Sequence, residues 1–381
     1  MTQQTHTKKL KDFAELKSGN GFPKEYQNFE KGEYGFYKVG DISRTWLSGN
    51  TYLLEPEYEI PERIVEKIKG TIFPKDSIVF AKIGEALKLN RRAITYSPCL
   101  VDNNVFVLIP DKNKVLSKFL FYFTLTMDLS NLSRATTVPS LRKQDVEEIS
   151  FPNFSLSEQT LIVQEIEKQF TRLDTAVKSL KSVKQKLEVY RKAVLKKAFE
   201  KKDGWEESFI GKEAKVKYGK GLPERERKEG EVPVYGSAGE VGHHNTYLID
   251  FPTIIVARKG SIGNNFIIKS PCWAIDTVYY LEDIKINLDY LYHFLNSSIF
   301  KDTSTAVPSL RRNDLEKIKI DFPKSKEEQT LIVQSIESKF SVIDKVEQIV
   351  EESLKKSEKL RKSILKSAFE GKLVKMNEVE E

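Results

Sequence analysis

The heptapeptide EQTLIVQ occupies residues 158–164 and returns unchanged at 328–334. The identity spreads outward: TTVPSLRKQDVEEI (136–149) pairs with TAVPSLRRNDLEKI (305–318), and RKAVLKKAFEKK (191–202) pairs with RKSILKSAFEGK (361–372). A repeat on this scale forces a doubled architecture, a variable segment followed by a related helix, written twice. With 381 residues, each half is long enough to bury a core of its own. No catalytic motif travels with the repeat, so its meaning is architectural first.

The segments after each EQ read as helices with a seven-residue beat. In the first, Ile166, Leu173, Leu180, Leu187 and Val194 keep the beat, with Phe170, Val177, Val183 and Tyr190 filling the same face. In the second, Ile336, Ile343, Val350 and Ile364 keep it, Ser357 interrupts it, and Phe340, Leu354 and Leu360 support it. A narrow apolar seam on a long, proline-free, charged helix indicates a coiled coil. The plainer alternative is a helix lying on a globular domain. One exposed seam is costly, so the economical partner for the first helix is the second. An approximate twofold axis relating the repeats would pair them antiparallel. A rod of about 40 residues at ~1.5 Å rise would be roughly 60 Å long, comparable to one to two turns of B-DNA.

The variable segments are diverged copies of one head. SGNGFP (18–23) echoes YGKGLP (218–223), IVFAKIG (78–84) echoes IIVARKG (254–260), and SPC recurs at 97–99 and 270–272. The first head carries about 24 extra residues, mostly within 24–77. Strands are expected at Ser77–Ala81, Val105–Ile109, Thr253–Ala257 and Thr277–Leu281, with matching helices over 116–124 and 288–296. The fold class is α+β: two similar α/β heads separated by a long antiparallel two-helix coiled coil, with a pseudo-twofold internal repeat. The expected bounds are 1–155 and 204–325 for the heads, 156–203 and 326–381 for the helical spacers.

Charge directs attention to a polyanionic partner. The chain holds 62 Lys/Arg against 55 Asp/Glu, a net +7. Residues 171–202 alone hold eleven cations against three carboxylates, whereas 203–327 balance 18 against 19. The surplus on 171–202 suits DNA, the solvated side of the rod, or a partner protein. In the heads any nucleic-acid contact must come from local clusters. The candidates are Arg44, Lys82, Arg91 and Arg92 in the first head, with Lys220, Arg258 and Lys259 in the second. Each lies in a loop with glycine or small polar neighbours, where the backbone can approach a duplex closely. The VPSLR turns add Ser140, Arg142 and Lys143, and Ser309, Arg311 and Arg312. There the serine is expected to open a helix whose free N–H groups and nearby cations would face phosphate.

Chemistry of its own is hard to find. The glycines near Lys220 lack phosphate-loop spacing, and no [DNS]-P-P-[YFW] methyltransferase tetrapeptide occurs. Four histidines (His6, His243, His244, His293) form no metal signature, and two cysteines, Cys99 and Cys272, cannot build a disulfide framework. No catalytic residue, metal or cofactor is expected on this chain. No run of signal or membrane length is present, so a cytoplasmic location and no membrane partner are expected.

The order of variable head, VPSLR, EQ with a heptad helix, and then all of it again closely resembles the DNA specificity (S) subunit of type I restriction-modification systems. The resemblance covers essentially the whole chain and is carried by Val138–Arg142 with Glu158–Glu200 and Val307–Arg311 with Glu328–Glu370. It implies that each head is a target recognition domain reading one half of a bipartite site in double-stranded DNA. It further implies that the helices set the spacing and carry two methyltransferase (M) subunits, joined by restriction/translocase (R) subunits. S-adenosylmethionine would sit on the M subunits. The specificity chain of a type IIB-style enzyme, and a coiled-coil adaptor that never meets DNA, remain as alternatives.

Overall fold

The computed structural model describes residues 7–27, 31–133, 139–297 and 309–374. His6, Val138, Val307 and Pro308 therefore lie outside the described residues. The chain divides into two compact units, one of Met1–Lys178 with Leu354–Glu381, the other of Ser179–Ser353. Each unit holds one head and parts of both long helices.

The two heads share one sheet plan. In the first, a four-stranded antiparallel sheet runs in the order Ala14–Ser18, Val105–Pro110, Ile78–Ala81, Arg92–Ile94. In the second, the order is Lys215–Tyr218, Val278–Glu282, Thr253–Ala257, Asn265–Ile268. A three-stranded sheet joins each, containing one parallel pair, Tyr34–Tyr37 with Cys99–Val101 and Val232–Gly236 with Trp273–Ala274. Branched and aromatic residues fill these strands because both faces are covered; all of Ile78–Ala81 and Thr253–Ala257 is buried. The extra residues of the first head form two helices with no counterpart, Val39–Leu47 and Glu62–Lys67. The matching helices run Ser117–Thr124 and Leu288–Leu295.

The repeated heptapeptide is the joint between head and helix. The long helices run Leu156–Ala198 and Lys326–Phe369. Ser155 and Glu158 close a capping box, the Ser155 N–H donating to the Glu158 carboxylate at 2.7 Å and the Glu158 N–H to the Ser155 hydroxyl at 3.3 Å. Ser325 accepts from the Glu328 N–H in the same way. The next residue is a buried glutamine. Gln159 accepts from the Leu116 N–H and donates to the carbonyls of Lys114 and Phe154, all within 2.9 Å. Gln329 accepts from the Asn287 N–H and donates to the Pro323 carbonyl. One glutamine thus satisfies the start of each head's helix, where backbone N–H groups lack internal partners.

The seam runs antiparallel. In the second unit Lys184 meets Glu351, Arg191 meets Asp344 and Glu347, and Val194 and Leu195 pack with Ile336, so rising numbers on one helix meet falling numbers on the other. In the first unit Arg361 bonds Asp174, while Ile166, Phe170 and Leu173 share a core with Ile364, Leu365 and Ala368. Ile336, Ile343, Val350 and Val194 are buried; Leu180 and Leu187 are half-buried. Three seam expectations need correction. Val183, Tyr190 and Leu360 are exposed, and the part-buried places beside the seam belong to Arg191 and Arg361, with the exposed Lys184 reaching Glu351. All three keep the strict heptad from Phe170 or Phe340, and the two arginines lie over phenylalanine rings while their charges reach carboxylates.

The interaction is reciprocal across the repeat. Arg191 lies 4.6 Å over the Phe340 ring and pairs with Asp344; Arg361 lies 4.3 Å over the Phe170 ring and pairs with Asp174. Each unit holds one such set, made by one copy's arginine and the other copy's aromatic and acid.

Gln159→Ala leaves the Leu116 N–H and the Lys114 and Phe154 carbonyls unpaired, and is expected to lower stability by about 3 kcal/mol. Leu360→Ala, at an exposed position, should stay within about 0.5 kcal/mol of the parent. Urea denaturation of the two variants distinguishes these roles; equal losses would mean that the glutamine is not the joint.

Candidate nucleic-acid interface

Three features distant in sequence meet at one edge of each head. In the first, the Lys82 N–H donates to the Asn104 carbonyl at 2.8 Å and the Leu141 N–H donates to the Lys82 carbonyl at 2.9 Å. The glycine loop closes the same edge, with Gly19 and Asn20 donating to the carbonyls of Val105 and Val101. The second head repeats the wiring: Arg258 donates to Thr277 at 3.1 Å, Leu310 to Arg258 at 2.9 Å, and Gly219 and Lys220 to Val278 and Ala274. Only glycine fits the closest approach. A Cβ on Gly19 would meet the Val101 carbonyl oxygen at 2.2 Å, and one on Gly219 the Ile275 oxygen at 2.0 Å.

Ser140 and Ser309 do not open helices, contrary to the sequence expectation. Each is extended and forms a β-bridge, with Ile83 and Lys259 respectively. The serine backbone is used in pairing with the cation loop, so the short helices Lys143–Glu147 and Arg312–Glu316 start later, with Arg142 and Arg311 at their N-caps.

The wiring assembles Lys82, Arg142 and Lys143 in the first head, and Lys220, Arg258, Lys259, Arg311 and Arg312 in the second. Two of these are neutralised locally: Lys143 lies 3.5 Å from Glu147, and Arg312 lies 2.6 Å from Glu316. Among the described residues the other six form no ion pair. Lys82 rests 5.3 Å over the Phe106 ring beside the Ser18 hydroxyl. Lys220 lies 6.0 Å over the Trp273 ring, whose indole N–H donates to the Lys220 carbonyl at 2.9 Å. Unpaired cations on a backbone that a phosphate can approach are the electrostatic requirement for holding a duplex.

Three candidates fall outside this edge. Arg44 lies on the helix Val39–Leu47, held by the buried Asp41 carboxylate at 2.7 Å and the Glu55 carbonyl at 2.9 Å. Arg91 precedes the edge strand Arg92–Ile94. Arg92 is 2% exposed and donates to the carbonyls of Asn90 and Met127, which makes it a core residue and not a DNA contact. Burial pushes its pKa down to about 10, with the nearby Asp128 opposing the shift. His244 is buried and accepts from the Lys228 N–H, while His243 is exposed, as adjacent residues of a strand should be. Tyr218 and Trp273 belong to the edge and were not singled out from the sequence; the alignment of Ser18 with Tyr218 beside the glycine loop is the signal that marks the first. Among the described residues no cluster of three or more His, Cys, Asp or Glu suits a metal ion, and no helix is long and apolar enough to cross a membrane.

Arg92→Ala leaves the Asn90 and Met127 carbonyls unpaired around a cavity and should cost about 3 kcal/mol, whereas Arg142→Ala should cost less than about 0.5 kcal/mol. Urea denaturation of both variants checks the contrast, and equal losses would contradict it.

Residues 3–188 and 202–355 match the family described as type I restriction modification DNA specificity domain. The chain is 26% identical over 178 residues to the Type I restriction enzyme EcoDI specificity subunit of Escherichia coli, spanning 45% of this chain and 39% of that one. It is 24% identical to the Escherichia coli EcoBI specificity subunit across 94% of this chain and 84% of that one. Among solved structures, it matches a chain from a study of complex assembly and conformational transition of the type I R-M system, with TM-score 0.80 and 15% identity over 97% of this chain and 98% of the other. The HsdS subunit from Thermoanaerobacter tengcongensis matches with TM-score 0.60 and 16% identity over 96% and 97%. Both matches concern the fold. The repeated match over most of its length makes this chain a member of the type I restriction modification DNA specificity family.

Proposed function

We propose that this chain is the non-catalytic DNA-specificity subunit of a type I restriction-modification complex, acting in the cytoplasm. Each head engages one half of a bipartite site in double-stranded DNA. The long helices set the spacing and dock two methyltransferase subunits, with restriction/translocase subunits joining the assembly. S-adenosylmethionine belongs to the methyltransferase partners.

The observation that carries this reading is the duplicated edge. Both heads build it with the same backbone hydrogen bonds, yet the side chains on it differ: where the first head has Ser18, Asn20, Lys82 and Phe106, the second has Tyr218, Lys220, Arg258 and Tyr279 at the equivalent positions. Constant wiring with varied side chains suits two readers of unlike half-sites. Phosphate contacts supply affinity and salt dependence, and a few side chains supply sequence preference.

Exchanging residues 1–155 for another head should change one half of the methylated sequence and leave the other intact, as read by a genome-wide map of methylated adenines. A change in both halves would refute the division of labour. Arg311→Ala should weaken DNA binding by the assembled complex and reduce the slope of log affinity against log salt by about one. An unchanged slope would make Arg311 structural.

A further inference from the structure

Lys82 and Arg258 occupy the same place in the two heads, at the fifth position of IVFAKIG and IIVARKG. Their backbones are identically held, and both lie 5.3 Å over the ring of the equivalent aromatic, Phe106 or Tyr279. The side chains are otherwise prepared for different tasks. The Arg258 guanidinium lies against two rings, Tyr279 and, at 5.0 Å, the half-exposed Tyr218. The Tyr279 hydroxyl donates to the Leu310 carbonyl at 3.1 Å, which pins that ring to the Leu310–Arg311 stretch. One terminal nitrogen of Arg258 donates to the Asp276 carbonyl at 3.0 Å, and Nε is buried without a partner. The guanidinium plane is therefore oriented before any ligand arrives, and its terminal edge is the part left to serve one. Lys82 offers a compact ammonium whose neighbours are the Ser18 hydroxyl at 3.3 Å and the Asn103 carbonyl at 3.5 Å.

Resting on the reading of the heads as DNA readers, we propose that Arg258 recognises a guanine edge in the half-site of the second head, while Lys82 at the same place in the first head holds a phosphate. A planar fork of fixed orientation matches the two acceptors that guanine presents in the major groove, with a directionality that a flexible ammonium lacks. The ordering of the arginine is met on folding, so little side-chain entropy is lost when the base is engaged.

The test uses the full chain assembled with its methyltransferase subunits, and randomised duplexes as the probe. Wild type, R258K, R258A and K82A are compared for the sequences bound, at several salt concentrations. R258K and R258A should each lose about tenfold to a hundredfold of preference at one G·C pair of the second half-site, with the first half-site unchanged. R258K should retain the wild-type salt slope. K82A should weaken all sequences alike and reduce that slope by about one. Retention of the G·C preference by R258K, or uniform weakening of every sequence by R258A, overturns the assignment of Arg258. A changed base preference in K82A overturns that of Lys82. Thermal melting identifies a variant that fails to fold, and R258K, which keeps the charge, then decides alone. If the wild-type complex selects no bipartite sequence, the DNA reading itself falls, an outcome distinct from the others.

Discussion

A long charged helix with one apolar stripe cannot stand alone in water, and the rest of this molecule follows from how that stripe is covered. In each unit the covering surface is the other long helix together with the head. The cover is made specific by the Arg–Phe–Asp sets, Arg361 on Phe170 and Asp174, and Arg191 on Phe340 and Asp344. Apolar contact supplies most of the drive and is tolerant of sliding. A guanidinium that must meet a ring and a carboxylate at once tolerates little, so these sets select one register and one direction.

The buried glutamines extend that order to the heads. Gln159 and Gln329 tie the first turn of each long helix to the start of the head's own helix through main-chain groups. Each head is then continuous in packing with helix, as seen where Phe119 and Phe123 meet Phe369 in the first unit and Phe199 meets Tyr290 and Phe294 in the second. The glycine loop and the stretch at Leu141 or Leu310 are fastened in turn to the central sheet and the loop that follows its strand. The cationic edge is thus the outer layer of a scaffold fastened from within by main-chain hydrogen bonds.

Much of this was legible in the letters. Repetition exposed the doubled plan, and runs of branched residues located Ile78–Ala81 and Thr253–Ala257 to within a residue. What escaped was polar structure. Counting apolar letters chose Val183, Tyr190 and Leu360 for the seam, because Lys184, Arg191 and Arg361 look like solvated cations until their carboxylate partners are known. Arg91-Arg92 read as a loop pair for the same reason, although Arg92 is enclosed with carbonyls supplied by Asn90 and Met127. Ser140 has the letters of a cap, but the bridge to Ile83, 57 positions away, claims its backbone. The convergence of Lys82 with Leu141 and of Arg258 with Leu310 likewise depends on long-range hydrogen bonds that no local pattern encodes.

The two kinds of joint differ in what they ask of heredity. Gln159 grips Leu116, Lys114 and Phe154 by their peptide groups, which every amino acid other than proline supplies, so mutational drift in a head cannot erode that attachment. The arginine sets are made of side chains from opposite halves of the gene. A change at Phe170 is judged against Arg361, and one at Phe340 against Arg191. The heads are accordingly free to diverge, while the helices of the two copies must evolve as a correlated pair.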